Sequence, residues 1–105
     1  MATAKNYGNR PDGSEKGAGF FGELDRPDGD VSTELSAGVD FGDGEEEIPL
    51  LVPTLTKEQI NHLLSGEKPT DEIYEQAIKF ARARKQAGMP TFATPEEYGT
   101  YKVPK

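Results

Sequence analysis

Between residues 31 and 41 the chain alternates without interruption. Val31, Thr33, Leu35, Ala37, Val39 and Phe41 fall on one parity, and Ser32, Glu34, Ser36, Gly38 and Asp40 on the other. Successive side chains of a strand point to opposite faces, so this is the pattern of an antiparallel strand buried on one side, and no helix could bury every second residue. Gly42, Asp43 and Gly44 follow, where glycine can take the positive φ that a tight reversal needs, and EEEIPLLVP returns as a second strand. A β-hairpin over residues 31–52 is expected. Pro49 has no N–H to donate, so the second strand should be an edge or carry a bulge there.

The remainder reads as helix. Thr56 with Gln59 three residues on forms a capping box, opening a short helix over about 57–65 that carries Ile60, Leu63 and Leu64 on one face and stops at Gly66. A second helix over about 71–87 starts after Pro69 and Thr70 and is stopped by Gly88 and Pro90. Its buried stripe is expected to be Ile73, Ala77, Phe80 and Ala81, flanked by Tyr74 and Ile78. Asp71, Glu72 and Glu75 in its first turns and Arg82, Arg84 and Lys85 in its last suit the helix dipole. Thr94, Pro95, Glu96 and Glu97 signal a last helical turn over 95–101, carrying Tyr98 and Tyr101. The fold class that follows is α+β: a small antiparallel hairpin or sheet packed by two helices and a C-terminal helical turn, in one domain over residues 23–105.

Residues 1–22 have no period of either kind and five glycines, and read as an extended Gly-rich arm. Phe20 and Phe21 close it, as adjacent aromatics would if they tied the arm to a core or to another subunit. The tetrapeptide RPDG occurs twice, at residues 10–13 and 26–29. Each copy is a turn in which Pro presets φ, Asp can bond to the backbone ahead and Gly supplies positive φ. The residues that follow, SEKG and DVST, differ at once, so the copies mark turns and not a repeat architecture.

At 105 residues the chain is one small domain, too short for a cleft between two lobes. It has no Cys, which excludes thiolate metal sites, disulfides and thiol nucleophiles. No apolar run approaches the ~18 to 20 residues of a membrane span, so no membrane association is expected. MATAKNYGNR lacks the apolar stretch of a signal peptide, and the expected site of synthesis is the cytoplasm. The net charge of −7 is local: residues 23–52 carry ten acidic side chains and Arg26 alone as a base, while the segments on either side are each close to neutral. A field of this sign repels phosphate backbones, so direct nucleic-acid binding is not expected, and a basic protein surface is the better electrostatic partner.

Catalytic and metal chemistry find little support. Asp28, Asp30 and Ser32 alternate as in a calcium loop, but the sixth and twelfth positions are Thr33 and Val39 where that loop needs Gly and Glu. Asp40, Asp43 and Glu45 could hold a cation only weakly. His62 is the only histidine and has no assignable Ser or Asp partner, and no phosphate-cradling GxxxxGK[ST] loop is present. The protein is expected to be no enzyme, with no resident metal or cofactor.

The order of elements resembles a small module of tailed-bacteriophage and prophage proteins, found alone or within long virion or polyvalent proteins. The resemblance covers about residues 26–101 and is carried by Pro27, Asp28, Gly29, Ser32, Thr33, Ile48, Pro49, Pro53, Thr54, Gly88, Phe92, Thr94, Pro95 and Glu96. It names no reaction. It implies a virion-associated role, as a minor structural protein binding a larger capsid, portal or tail protein in multiple copies. The surfaces expected to make that contact are the arm and the sheet edge, with Phe20, Phe21, Arg26, Glu45, Glu46, Glu47, Tyr98 and Tyr101 as the contact residues. The alternative expectation is an acidic, phage-encoded inhibitor of a host nucleic-acid-binding enzyme.

Overall fold

The computed structural model describes residues 8–11, 13–42 and 44–105. Its strands form two antiparallel ladders, β1 (Leu24–Asp25) with β2 (Val31–Ser32) and β3 (Ser36–Asp40) with β4 (Glu45–Pro49). Two helices follow, α1 (Lys57–Leu64) and α2 (Asp71–Gln86), and then a 3₁₀ turn at Pro95–Glu97. The class is α+β, with hairpin, helices and terminal turn in the expected order.

The alternating segment does not form one strand. It breaks at residues 33–35, where Thr33 and Glu34 are both only 4% exposed, while Val31, expected inside, is 40% exposed. Glu34 turns inward because donors await it there. Arg10 Nε and Nη2 donate to its two oxygens at 2.8 Å each, and the Gly17 N–H donates to Oε2 at 2.8 Å. A carboxylate held by a guanidinium fork and a backbone N–H can be buried where a bare one could not. The main hairpin is therefore residues 36–49 and not 31–52, and residues 31–32 belong to a second, smaller hairpin.

Both RPDG copies are reverse turns built alike. Gly13 N–H donates to the Arg10 carbonyl at 2.9 Å and Gly29 N–H to the Arg26 carbonyl at 3.1 Å. Arg10 N–H reaches the Ser14 carbonyl at 2.7 Å, and Arg26 N–H the Asp30 carbonyl at 2.8 Å. Their side chains converge on the strand break, Arg10 on Glu34 and Arg26 Nη1 on Ser32 Oγ at 3.1 Å. The turns thus share a second task, which their divergent flanks conceal: they hold the two ends of the segment that leaves the sheet.

In the β3–β4 ladder Ser36 stands opposite Pro49 and Asp40 opposite Glu45, with no bulge between. Leu50 N–H donates to the Leu35 carbonyl at 2.7 Å. Bonded pairs alternate with unbonded ones in an antiparallel ladder, so the pairs 37/48 and 39/46 are bonded, and Pro49 falls where no donor is required.

The core is closed by β4 and the segment after it, both helices and the arm. Phe20 (1% exposed), Ile48, Leu51, Val52, Leu55, Ile60 and Ile73 are its largest fully buried side chains. The capping box forms as expected, with Gln59 N–H donating to Thr56 Oγ1 at 3.2 Å and Thr56 N–H to Gln59 Oε1 at 2.9 Å. The expected arm is not separate from the domain over its described residues, 8–11 and 13–22. Phe20 meets Phe80 edge-on at 5.2 Å, and the Gly19 and Phe20 carbonyls accept from the N–H groups of Gly99 and Tyr101 at 3.0 and 3.1 Å. At Gly19 a Cβ would lie 2.0 Å from the Thr33 carbonyl oxygen, so only glycine lets the arm pass this close to the strand break.

Candidate functional site

Charge is concentrated in two places, the β3–β4 hairpin and the C-terminus of α2. Directly opposed residues of a ladder share a face. Ala37 with Ile48 and Val39 with Glu46 therefore lie on one side, and Ser36, Gly38, Asp40, Glu45, Glu47 and Pro49 on the other. The first side packs toward α2, where Lys85 pairs with Glu46 and its ammonium lies 4.8 Å from the centre of the Phe41 ring. The second side is the polar one. Gly38, Asp40 and Glu45 are exposed on it, and Asp40 Oδ1 accepts from the Gly42 N–H at 2.7 Å.

Toward Pro49 the polar face runs under neighbouring chain. A cleft of about 570 Å³ is lined by Pro11, Glu45, Glu46, Glu47, Thr91 and Phe92. Glu47 Oε2 is buried and makes no hydrogen bond. Arg10, beside Pro11, stacks over the Phe92 ring at 4.1 Å while its fork holds Glu34. The cleft wall is thus fixed by the same arginine that anchors the arm.

At the end of α2 Arg84 is only 7% exposed. It donates to Glu97 through Nη1 and Nη2 at 2.9 and 2.8 Å, to the Pro90 carbonyl at 2.6 Å and to the Phe92 carbonyl at 3.2 Å. Its guanidinium lies 5.1 Å from the Phe20 ring centre and 5.7 Å from that of Phe80. These bonds, with Thr94 N–H donating to Glu97 Oε1 at 3.0 Å, lower the Glu97 pKa from 4.5 to about 2. The Arg84 bonds are the largest cause, and partial burial opposes them. Of the basic cluster at 82–85, Arg84 is buried on Glu97, while the exposed Lys85 pairs with Glu46 and the exposed Arg82 lies 6.0 Å from the Phe41 ring centre.

The residues expected to contact a partner are not gathered in one place. Phe20 and Phe21 are core residues of this chain and unavailable at its surface. Tyr98 is half-buried against Gly17, whose Cβ position its hydroxyl occupies, and Arg26 is engaged with Ser32 and Asp28. Tyr101 packs edge-on against Phe20 at 5.8 Å and is 40% exposed. Glu45, Glu46 and Glu47 stand together on β4, of which Glu45 is exposed and Glu46 is tied to Lys85. Asp43, part of the weak cation set, lies outside the described residues. Among the described residues no three His, Asp or Glu side chains converge as metal ligands, and no helix is long and apolar enough to cross a membrane. Glu34, Arg10 and Arg84, the most heavily bonded polar groups, were not read from the sequence as site residues. Arg84 had a signal, since it continues the 73–77–81 spacing of the buried stripe.

No family model, no curated protein and no solved structure matches this chain.

Proposed function

We propose that this protein is a minor structural component of a tailed-bacteriophage particle, held by a larger capsid, portal or tail protein through its hairpin. One contrast carries the reading. Arg84 at the α2 terminus and Glu34 at the strand break are paired inside the molecule, whereas Asp40 and Glu45 flank Gly38 as an exposed acidic strip on the hairpin. A fold that buries and pairs these two charges and gathers exposed carboxylates on one hairpin suits docking better than catalysis. The resemblance over residues 26–101 supplies the particle. The arm, packed on its own domain over its described residues, is the lesser contact in this reading, and Tyr101 is the exposed aromatic among the described residues.

Mass spectrometry of purified virions tests it: the protein should be present at fixed stoichiometry to the major capsid protein, and its absence would overturn the role. The same exposed carboxylates favour a second reading, an acidic inhibitor that occupies a host nucleic-acid-binding enzyme. That reading expects recovery of such an enzyme from host lysate, with binding that weakens steeply as salt rises.

A further inference from the structure

We propose that the outer edge of β3 is a strand-addition site for an extended segment of a partner protein in which lysine or arginine alternates with apolar residues, selected by Glu45 and Asp40. This rests on the docking role above and names the chemistry of the docked segment. With 37/48 and 39/46 as the bonded pairs, the N–H and C=O groups of Ser36, Gly38 and Asp40 point away from β4. Among the described residues none bonds to these outward backbone groups. Gly38 and Asp40 are exposed, so the groups are accessible.

The two edges of this sheet differ. Open edges are usually blocked by proline, lysine, charge or a bulge. The β4 edge carries Glu45, Glu47 and Pro49, which lacks the donor, whereas the β3 edge carries the single charge of Asp40, no proline, lysine or bulge, and a glycine at its centre. At Gly38 a Cβ would meet Glu45 Oε1 at 2.5 Å. The Glu45 side chain therefore lies diagonally across the ladder onto Gly38, and a carboxylate from the neighbouring strand is delivered to the open edge. Asp40 stands two residues away on the same face.

Pairing rules then specify the occupant. A residue opposite Gly38 in a new ladder shares its face and points its side chain beside Glu45, which selects Lys or Arg. The residues flanking it point to the other face, beside half-buried Ala37 and Val39, which selects apolar side chains. A second copy of this chain is a poor occupant, because β3 paired antiparallel with β3 about Gly38 would bring the Glu45 carboxylates of both copies together.

Amide hydrogen exchange by NMR on the full chain tests this, with a ten-residue peptide of alternating valine and lysine as probe and a valine–glutamate peptide as control. The lysine peptide should slow exchange of the Gly38 and Asp40 amides about tenfold or more. The Val39 amide, already bonded within the sheet, should change little. The glutamate peptide should leave all three unchanged. Asp40→Asn with Glu45→Gln should weaken binding about tenfold, and Gly38→Pro, which removes an outward N–H and also displaces the Glu45 side chain lying over it, should abolish it while retained Val39 protection shows that the hairpin is folded. Equal protection by both peptides, protection of Gly38 that rises with protein concentration alone, or peptide contacts confined to α2 would each overturn the proposal. Virions that retain a Gly38→Pro protein at full stoichiometry would overturn the edge as the contact and leave the virion role standing. Virions lacking the wild-type protein, with peptide binding intact, would do the reverse.

Discussion

The C-terminus of α2 and the β3–β4 hairpin hold much of the molecule's charge and treat it in opposite ways. Arg84 is drawn inside, flanked by two aromatic rings, and donates to a carboxylate and two carbonyls. Asp40 and Glu45 stay in water, and Lys85, the cation paired on this hairpin, is bound to Glu46 on its other face. Burying an ion pair costs desolvation that only a well-bonded geometry recovers, and an exposed carboxylate contributes little to folding. Charge at the helix end therefore serves the fold, and charge on the hairpin is left free to serve something outside it.

The comparison breaks hardest at Arg84. Arg84→Ala strands the Glu97 carboxylate and the Pro90 and Phe92 carbonyls and leaves a gap beside Phe20, so we expect destabilisation of about 3–5 kcal/mol, read as a lower urea midpoint. Arg84→Lys should recover only part of this, because an ammonium cannot make the paired fork to Glu97. A loss within the range of a surface substitution would show that the two regions are not energetically distinct.

Acid titration sharpens the same contrast at smaller amplitude. The folded-state pKa of Glu97 lies at about 2, below its ordinary 4.5. A depressed carboxyl contributes fully above its unfolded value, and the contribution is lost as pH falls toward the folded value, because the unfolded chain takes up the proton first. Stability should therefore fall between about pH 5 and pH 2 by on the order of 2–3 kcal/mol from this group. Urea midpoints across that range should show the slope in the wild type and a flatter one in Arg84→Met. Equal slopes would mean that Arg84 is not what holds the carboxyl down.

What the sequence made legible is what depends on neighbours along the chain. The glycine-flanked reversal and the Thr56–Gln59 box are local patterns that form, the period-two run forms as a strand from Ser36 to Asp40, and of the expected helix stripe Ile73, Ala77 and Ala81 are buried while Phe80 is half-buried. The break at Thr33 and Glu34 was not legible, because its cause is an arginine 24 residues upstream. Arg84 sits on the buried stripe by spacing, yet a positive charge at a helix C-terminus has an ordinary dipole explanation that masks it, and its acceptor lies 13 residues on. Phe20 and Phe21 were legible as anchors, but not the core they anchor to. The candidate site was legible in part: the acidic hairpin and Pro49 at an edge can be read from composition and from proline's missing donor. That Glu45 lies over Gly38 requires the register, which alternation constrained only to within the choice of where the strand begins.

The smallest expected effect on folding separates the two regions most sharply. Glu45→Gln removes one exposed charge from a crowded acidic strip while keeping side-chain length and the contact over Gly38. Surface substitutions of this kind fall within about 0.5 kcal/mol, and relief of repulsion from Glu46, Glu47 and Asp40 gives the change a stabilising sign. Thermal unfolding at low salt should therefore place this variant at or slightly above the wild type, with the difference shrinking as salt screens the strip. If Glu45→Gln instead destabilised the fold as Arg84→Ala is expected to, the carboxylate would be a structural element of the hairpin, and the division between charge that folds the protein and charge held outward would fail at the residue on which it most depends.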